Sequence, residues 1–141
     1  MTTDPTQDFS KNLVKGYSYW EVYVSDNQQY LGRCTIWCKR TDALDLAEAT
    51  AEEQVELFLI LSSLRRAAAQ LFSADWFNYA FLGNETRHLH GHFIPRYETP
   101  RHFGGLIFED HHYGRNYRSE LDNFIPEQAL IAIRDGYKKF L

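Results

Sequence analysis

A long amphipathic helix predicted near the middle of the chain is the feature that most constrains the fold. The stretch Thr50-Ala51-Glu52-Glu53 matches a capping box, in which the Thr50 hydroxyl accepts a hydrogen bond from a free backbone N–H and the Glu53 side chain reaches back. Apolar residues then recur at three- and four-residue steps: Leu57, Leu61, Leu64, Ala68, Leu71 and Phe72. We therefore expect one helix over about residues 50–72, with an apolar stripe along one side.

Strand patterns lie on both sides of this helix. Alternating or strand-rich runs occupy residues 17–25, 34–38, 76–82 and 88–95. The first two runs, separated by a short polar break, predict an antiparallel hairpin. Pro126 opens a last helix, whereas residues 97–123 show no clear period and are expected to be mostly loop.

This order of elements predicts the α+β class, with an antiparallel sheet of about five strands, one long helix and a C-terminal helix. A chain of 141 residues makes one domain the default. Residues 1–12 are polar and aperiodic, so we expect them to form a flexible N-terminal arm in front of a single domain over residues 13–141.

Composition excludes several classes of function. The formal net charge of −4 gives no surface-wide positive field, so a nucleic-acid polymer is not an expected partner. The longest uninterrupted aliphatic and aromatic run, Leu57–Leu61, is far shorter than the ~20 residues of a membrane-spanning helix. With two cysteines and no secretory signal pattern at the start of the chain, a reducing, cytoplasmic location is expected.

Three of the six histidines lie at alternate positions of one predicted strand, as His88, His90 and His92. Side chains two residues apart on a strand point the same way, so we expect one row of imidazoles with about 7 Å between neighbours. Three imidazoles on a buried sheet face are costly without compensating partners. The row therefore indicates a functional site.

Two uses of such a row compete. Alternate histidines can converge on one metal ion, as in catalytic zinc sites with three imidazole ligands. A neutral imidazole can instead attack an electrophile, and a phosphoryl centre suits this chemistry because positioning and charge neutralisation are the main tasks of the protein. Cys34 and Cys38 are further metal-ligand candidates, but their strand-like surroundings favour small buried side chains.

The stretch of residues 82–97 resembles the signature of the histidine triad (HIT) proteins, which is His-x-His-x-His followed by two apolar residues, here Phe93 and Ile94. The upstream order is also similar to that family. A hairpin whose second strand follows a glycine-containing turn at Gly32 precedes one long helix and then the motif strand. The resemblance covers about residues 17–97.

This resemblance implies a HIT-like nucleotide-binding domain, commonly a homodimer with one continuous sheet. It implies cleavage or transfer at the α-phosphate of dinucleoside polyphosphates, nucleoside phosphoramidates or adenylylated compounds. His90 would attack phosphorus to form a nucleotidyl-histidine that water resolves, and His92 would contact the phosphate and assist the leaving group. The His88 carbonyl would accept the other ring N–H of His90 and fix its tautomer. No metal or other cofactor is required, although Mg²⁺ can arrive with a polyphosphate substrate.

The resemblance also implies residues that bind the substrate. Asp26 or Asn27, at the end of the first hairpin strand, would bind the ribose. Asn84 would reach the phosphate, with Asn78 as a second choice, and Arg96 and Arg101 could draw in a polyphosphate tail or be solvated charges.

Three positions depart from the family pattern. Arg33 stands where many members have a further histidine, and Gly91 replaces a bulkier residue, which predicts thinner packing behind the motif strand. Only Thr86 could replace the Ser or Thr that often binds the phosphate. Two other functions therefore stay open, a non-catalytic nucleotide-binding or sensor module and a metal-dependent hydrolase that uses the histidines as ligands.

Overall fold

The computed structural model describes residues 9–119 and 124–141. Its regular elements are β1 (Leu13–Gly16), β2 (Trp20–Val24), β3 (Cys34–Cys38), α1 (Ala51–Phe72), β4 (Trp76–Ala80), β5 (His90–Arg96), β6 (Arg101–Phe103), β7 (Leu106–Phe108) and α2 (Glu127–Lys138). Five strands form an antiparallel sheet in the order β1-β2-β3-β5-β4, and β6 and β7 form a separate hairpin. The predicted α+β class, with about five strands, one long helix and a C-terminal helix, is confirmed.

Helix α1 begins and ends at residues with identifiable capping roles. The Thr50 hydroxyl accepts from the Glu53 backbone N–H at 3.1 Å, and the Glu53 carboxylate accepts from the Thr50 backbone N–H at 2.8 Å, which is the predicted capping box. Ser73 adopts the left-handed conformation just past Phe72 and ends the helix. The apolar residues buried on its inner side are Leu57, Ile60, Leu64, Ala67, Ala68 and Phe72.

The register of the sheet separates a packed face from the face that carries the histidines. Val22 of β2 pairs with Ile36 of β3, and both belong to the core cluster beside α1. Because side chains alternate along a strand, the neighbouring residues Thr35 and Trp37 lie on the other face. On the neighbouring strand β5, His92 pairs with Thr35 and His90 pairs with Trp37. The histidines therefore lie on the face opposite α1.

The start of the described chain differs from the predicted flexible arm. Ser10–Asn12 forms a 3-10 turn that leads into β1, a strand the sequence pattern did not predict. Asn12 is buried and its side chain donates to the Val24 carbonyl and to the Asp26 carboxylate, both at 2.8 Å. These bonds hold the end of the arm to the sheet, whereas residues 1–8 lie outside the described residues.

A β-hairpin occupies part of the segment predicted to be mostly loop. Phe103 pairs with Leu106, and both residues of the turn between them, Gly104 and Gly105, have positive φ values of 59° and 79°. Such a pair of backbone conformations suits a two-residue hairpin turn, and glycine adopts it without strain. The expectation of loop is therefore corrected for β6 and β7, and residues 120–123 of that segment lie outside the described residues.

Within the described ranges, no helix combines the length and apolar character needed to cross a bilayer.

Candidate active site

Two of the three motif histidines, His88 and His90, stack against Trp37, and His92 contacts His90, although His88 comes from the loop before the strand. Strand β5 begins at His90, two residues later than the predicted strand. The His90 and His92 rings are perpendicular, with centroids 5.2 Å apart. The His88 ring stacks on Trp37 at 4.1 Å, and Trp37 also stacks against His90 at 5.5 Å. The predicted row is thus a cluster in which the Trp37 indole contacts the rings of both His88 and His90.

A hydrogen bond fixes the tautomer of His90. Its Nδ1 lies 2.6 Å from the His88 carbonyl oxygen, and because a carbonyl can only accept, the proton must be on Nδ1. The other ring nitrogen, Nε2, then has a free lone pair. Burial lowers the pKa of His90, and the hydrogen bond to the His88 carbonyl opposes this effect without reversing it. The side chain is therefore a neutral imidazole at neutral pH, which is the nucleophilic form.

His88 holds the acceptor of that bond in place. Its own Nε2 donates to the Cys38 carbonyl at 2.6 Å, and its ring is stacked on Trp37 as described above. Both contacts tie the loop before β5 to the end of β3. The His88 side chain is therefore a positioning group for the backbone that orients His90.

His92 is uncharged for a related reason. Burial lowers its pKa to about 3, with further lowering from the positive charge of Arg33 and from His90. Its Nδ1 is buried and has no hydrogen-bond partner among the residues that the structure describes. The His92 side chain as a whole lines the cavity that contains His90.

Two cavities meet at His90. The first, of about 290 Å³, is lined by Arg33, Leu82, Gly83, Asn84, Glu85, Thr86, His90, His92, Tyr117 and Ser119. The second, of about 480 Å³, is lined by Leu44, Asp45, Leu46, Phe81, Leu82, Gly83, Arg87, His88, Leu89 and His90. The structure therefore brings Asn84 and Thr86 together with His90 and His92, as the sequence predicted.

Asp26 and Asn27 are not brought to this site. The Asp26 carboxylate accepts from Asn12, and the Asn27 side-chain oxygen accepts from the Gln29 backbone N–H at 2.9 Å. Neither residue lines the two cavities at His90. These two positions lie past the end of β2, where Asp26 binds the N-terminal segment and Asn27 completes a turn.

Ser25 is the residue at this strand end whose side chain lies on the histidine face. Its hydroxyl lies 3.2 Å from that of Thr35, which pairs with His92 across β5. The alternation that begins at Trp20 places residue 25 on the histidine face, so the signal was present in the sequence.

Arg33 is the second residue that sequence reasoning missed, because it was noted only as a departure from the family pattern. It shares the face of Thr35 and Trp37 by alternation and is 7% exposed. Its guanidinium lies over the Tyr117 ring at 5.5 Å and donates to the Ser119 hydroxyl at 3.3 Å. A buried cation therefore lines the cavity that contains His90 and His92.

The other candidate cations have structural partners. Arg96 is buried and binds the Asp110 carboxylate at 2.7 and 3.1 Å, and its Nη1 donates to the Asn78 side-chain oxygen at 2.7 Å. Arg101 forms an ion pair with Asp75 at 2.9 Å. These arginines are neither solvated nor free for a polyphosphate tail, and the second-choice phosphate contact, Asn78, is engaged as well.

The space beside Gly91 is filled by a neighbouring ring. A Cβ atom at position 91 would lie 2.3 Å from the Phe81 ring, a distance that real Cβ atoms do not show. The predicted thinning of the packing behind the motif strand is therefore wrong, because Phe81 supplies the missing volume.

The metal alternatives find no support in the described side chains. Over residues 9–119 and 124–141, no group of three His, Cys, Asp or Glu side chains could hold a metal ion. Cys34 and Cys38 are buried thiols, and Cys38 Sγ lies 3.3 Å from the Glu53 carboxylate.

Comparison with known proteins identifies the family. The family model described as the HIT domain matches residues 22–99, more than half of the chain. The chain belongs to the HIT family. A bis(5'-adenosyl)-triphosphatase of Saccharomyces cerevisiae (strain ATCC 204508 / S288c) is 34% identical over 142 residues, covering 92% of this HIT chain and 68% of the relative.

Solved HIT structures share the fold. A histidine triad protein from Sinorhizobium meliloti 1021 has a TM-score of 0.69 at 18% identity and covers 96% of each chain. A histidine triad protein from Marinobacter aquaeolei VT8 has a TM-score of 0.68 at 18% identity, covering 94% of this chain and 91% of the other. The resemblance in the motif thus extends to the whole HIT fold.

Proposed function

We propose that this HIT protein hydrolyses nucleotide conjugates, or transfers their nucleotidyl group, by attack at the α-phosphate. The observation that carries the proposal is the hydrogen bond from His90 Nδ1 to the His88 carbonyl, which leaves Nε2 unprotonated beside a cavity. Likeness to the yeast bis(5'-adenosyl)-triphosphatase favours dinucleoside polyphosphates over phosphoramidates and adenylylated compounds as substrates.

The reaction has two displacement steps. The lone pair of His90 Nε2 forms a bond to the α-phosphorus while the bond from phosphorus to the leaving oxygen breaks, and that oxygen keeps the electron pair. Water then attacks the same phosphorus, the N–P bond breaks, and nucleoside monophosphate leaves as the water proton is lost. His92 contacts the phosphate and assists the leaving group, and Asn84 and Thr86 offer polar groups from the turn that lines the cavity.

The reaction as proposed needs no cofactor from the protein. Every step is performed by an imidazole, a fixed backbone carbonyl and neutral or cationic side chains, so Mg²⁺ enters only as a companion of a polyphosphate substrate. The partner is a small nucleotide and not a nucleic-acid polymer, in line with the net charge of −4.

We further propose that two copies form a homodimer through α1 and the edge strand β4. Phe58 on α1 is 71% exposed and Tyr79 on β4 is 43% exposed, and they line a predominantly apolar cavity of about 720 Å³. Val55, Leu59 and Trp76 add exposed apolar surface to these two elements. Apolar surface next to an unpaired strand edge is typical of an interface, and pairing there would continue the sheet.

A cytoplasmic location is proposed because both cysteines are free and buried.

The function is tested with diadenosine triphosphate and intact-mass spectrometry. Wild-type protein quenched during turnover should gain the mass of one nucleotidyl group on a peptide that contains His90, and should release nucleoside monophosphate. His90→Ala should do neither, whereas His102→Ala, which alters an exposed histidine on β6, should behave as wild type.

Other outcomes identify the alternative functions. Nucleotide binding that survives His90→Ala, with no turnover of any of the three substrate classes by wild type, would identify a sensor module. Stoichiometric zinc in the purified protein, lost together with activity on chelation, would identify a metal-dependent hydrolase.

A further inference from the structure

We propose that Arg33 is the phosphate-binding residue of this site, and that its guanidinium holds the nonbridging oxygens of the phosphoryl group that His90 attacks. The identity of the phosphoryl group rests on the proposed function. The binding of an anion by Arg33 does not rest on the proposed function, because it follows from the burial and the incomplete hydrogen bonding of the Arg33 side chain.

Arg33 is a buried charge with an incomplete set of partners. It is 7% exposed, yet over the described ranges it forms no ion pair with a carboxylate, although the exposed Glu85 lines the same cavity. Its Nε is buried and has no hydrogen-bond partner there, and its polar contact is the 3.3 Å bond to Ser119. Buried guanidinium groups are normally paired, since an isolated buried charge is costly. An anion in the cavity would supply the partner that the Arg33 guanidinium lacks.

The position of Arg33 relative to the histidines defines which anion fits. Arg33 lies two residues before Thr35 on the histidine face, and Thr35 pairs with His92. Arg33 and His92 line the same cavity, and the charge of Arg33 contributes to the lowered pKa of His92. His92 Nδ1 and Arg33 Nε are both without partners in the described structure. Arg33, His90 and His92 line one cavity, so a single phosphate there can contact the Arg33 guanidinium and the His92 ring together.

The chemistry of guanidinium suits this position. Its planar array of N–H groups can bind two phosphate oxygens at once, and it stays protonated at any working pH. Phosphoryl transfer depends chiefly on positioning and on neutralising charge at the nonbridging oxygens. The Tyr117 ring and the Ser119 hydroxyl restrict the guanidinium, so Tyr117 and Ser119 are positioning residues for the anion site.

The test measures phosphate binding without turnover. Inorganic phosphate is titrated into isotopically labelled protein while the imidazole NMR signals of His90 and His92 are followed. Wild type should show saturable shifts. Arg33→Met, which keeps much of the length but removes the charge, should raise the Kd for phosphate at least about tenfold, as expected for loss of a charge-assisted bidentate contact. Arg118→Met, which removes an exposed arginine next to Ser119, should change the Kd less than about threefold.

A second variant and a second readout keep the result decisive. Arg33→Lys keeps the charge but lacks the planar fork, so its Kd should fall between those of wild type and Arg33→Met. In Arg33→Met the pKa of His92 should rise, because a nearby positive charge is gone. If circular dichroism shows that Arg33→Met is unfolded, the Arg33→Lys titration decides.

Several results would overturn the inference. They are phosphate binding by Arg33→Met or Arg33→Lys equal to wild type, an equal loss in Arg118→Met, and no saturable phosphate binding by wild type. Protein that binds phosphate through Arg33 but never forms the His90 adduct keeps this inference and fails the proposed function. Protein that forms the adduct but binds phosphate equally well without Arg33 fails this inference alone.

Discussion

Arg96, the last residue of β5, binds both carboxylate oxygens of Asp110, and the two side chains are 3% and 1% exposed. The same guanidinium donates to the backbone carbonyls of His112 and Arg115 at 2.8 and 2.7 Å. These bonds tie the segment after β7 to the strand that carries His90. Because Tyr117, which packs against Arg33, follows in that segment, the ion pair also supports the proposed phosphate site.

Asp110→Asn should destabilise the protein by about 3–5 kcal/mol, since it leaves the Arg96 charge buried without a counter-ion. Urea unfolding followed by tryptophan fluorescence measures the change. Glu109→Gln is the matched control, because the exposed Glu109 carboxylate lies 3.5 Å from the exposed His111 ring, and it should cost less than about 0.5 kcal/mol. A loss below about 1 kcal/mol in Asp110→Asn would contradict the structural role of the pair.

The pH dependence of kcat/KM should show an acid limb whose midpoint lies below 6.5. The pKa of His90 is lowered by burial from its ordinary value of 6.5, and the nucleophile is the unprotonated form. Activity is therefore retained at pH values above the lowered pKa and is lost as the pH falls through it. Initial rates at low substrate concentration, from about pH 4.5 to 8.5, measure this. An acid limb centred above 6.5 would contradict a buried neutral His90.

Gly91→Ala should destabilise the protein by about 1–3 kcal/mol, because the added methyl group displaces the Phe81 ring. Away from such a contact, replacing glycine by alanine in a strand is neutral or stabilising. Gly16→Ala is the control, since its Cβ would lie 4.0 Å from the flexible end of Lys39. When Phe81→Leu is added to Gly91→Ala, urea unfolding should show that part of the lost stability is recovered. Equal stability of Gly91→Ala and wild type would show that Phe81 moves without cost.

Phe58→Glu should convert the proposed homodimer into a monomer, since it places a charge in the apolar surface formed by α1 and β4. Size-exclusion chromatography with light scattering measures the mass. Ile107→Glu is the control, because Ile107 on β7 is 62% exposed and lies outside that surface, and it should leave the mass unchanged. A monomeric wild type, or a dimeric Phe58→Glu, would refute this interface.

The sequence predicted the elements whose patterns are local and repeated. The capping box at Thr50 and the three- and four-residue steps located α1 to within a residue, and alternation located β2 and β3. Strand β1 has four residues, too few to show a period. The β6–β7 hairpin did leave a signal, because Gly104-Gly105 between Phe103 and the apolar run Leu106–Phe108 is typical of a two-residue turn.

The site was predictable where it depends on one strand and missed where distant segments meet. The relation of His90 to the His88 carbonyl involves residues two apart and was implied by the resemblance to the family motif on that strand. The bond from Arg33 to Ser119 spans 86 positions, and no local pattern reveals it. Asp26 and Asn27 were chosen without regard to the strand face, and on a strand one residue is the difference between the two faces, so that Ser25 and not Asp26 lies beside Thr35.

The fit between Gly91 and Phe81 has a consequence for the way such chains diverge. The Phe81 ring occupies the space that a side chain at position 91 would need. A mutation to a larger residue at position 91 is therefore tolerated only in a lineage where residue 81 is already smaller. Homologous chains should therefore show these two positions changing together across the ten-residue interval between them, even though only one of them lies inside the histidine motif.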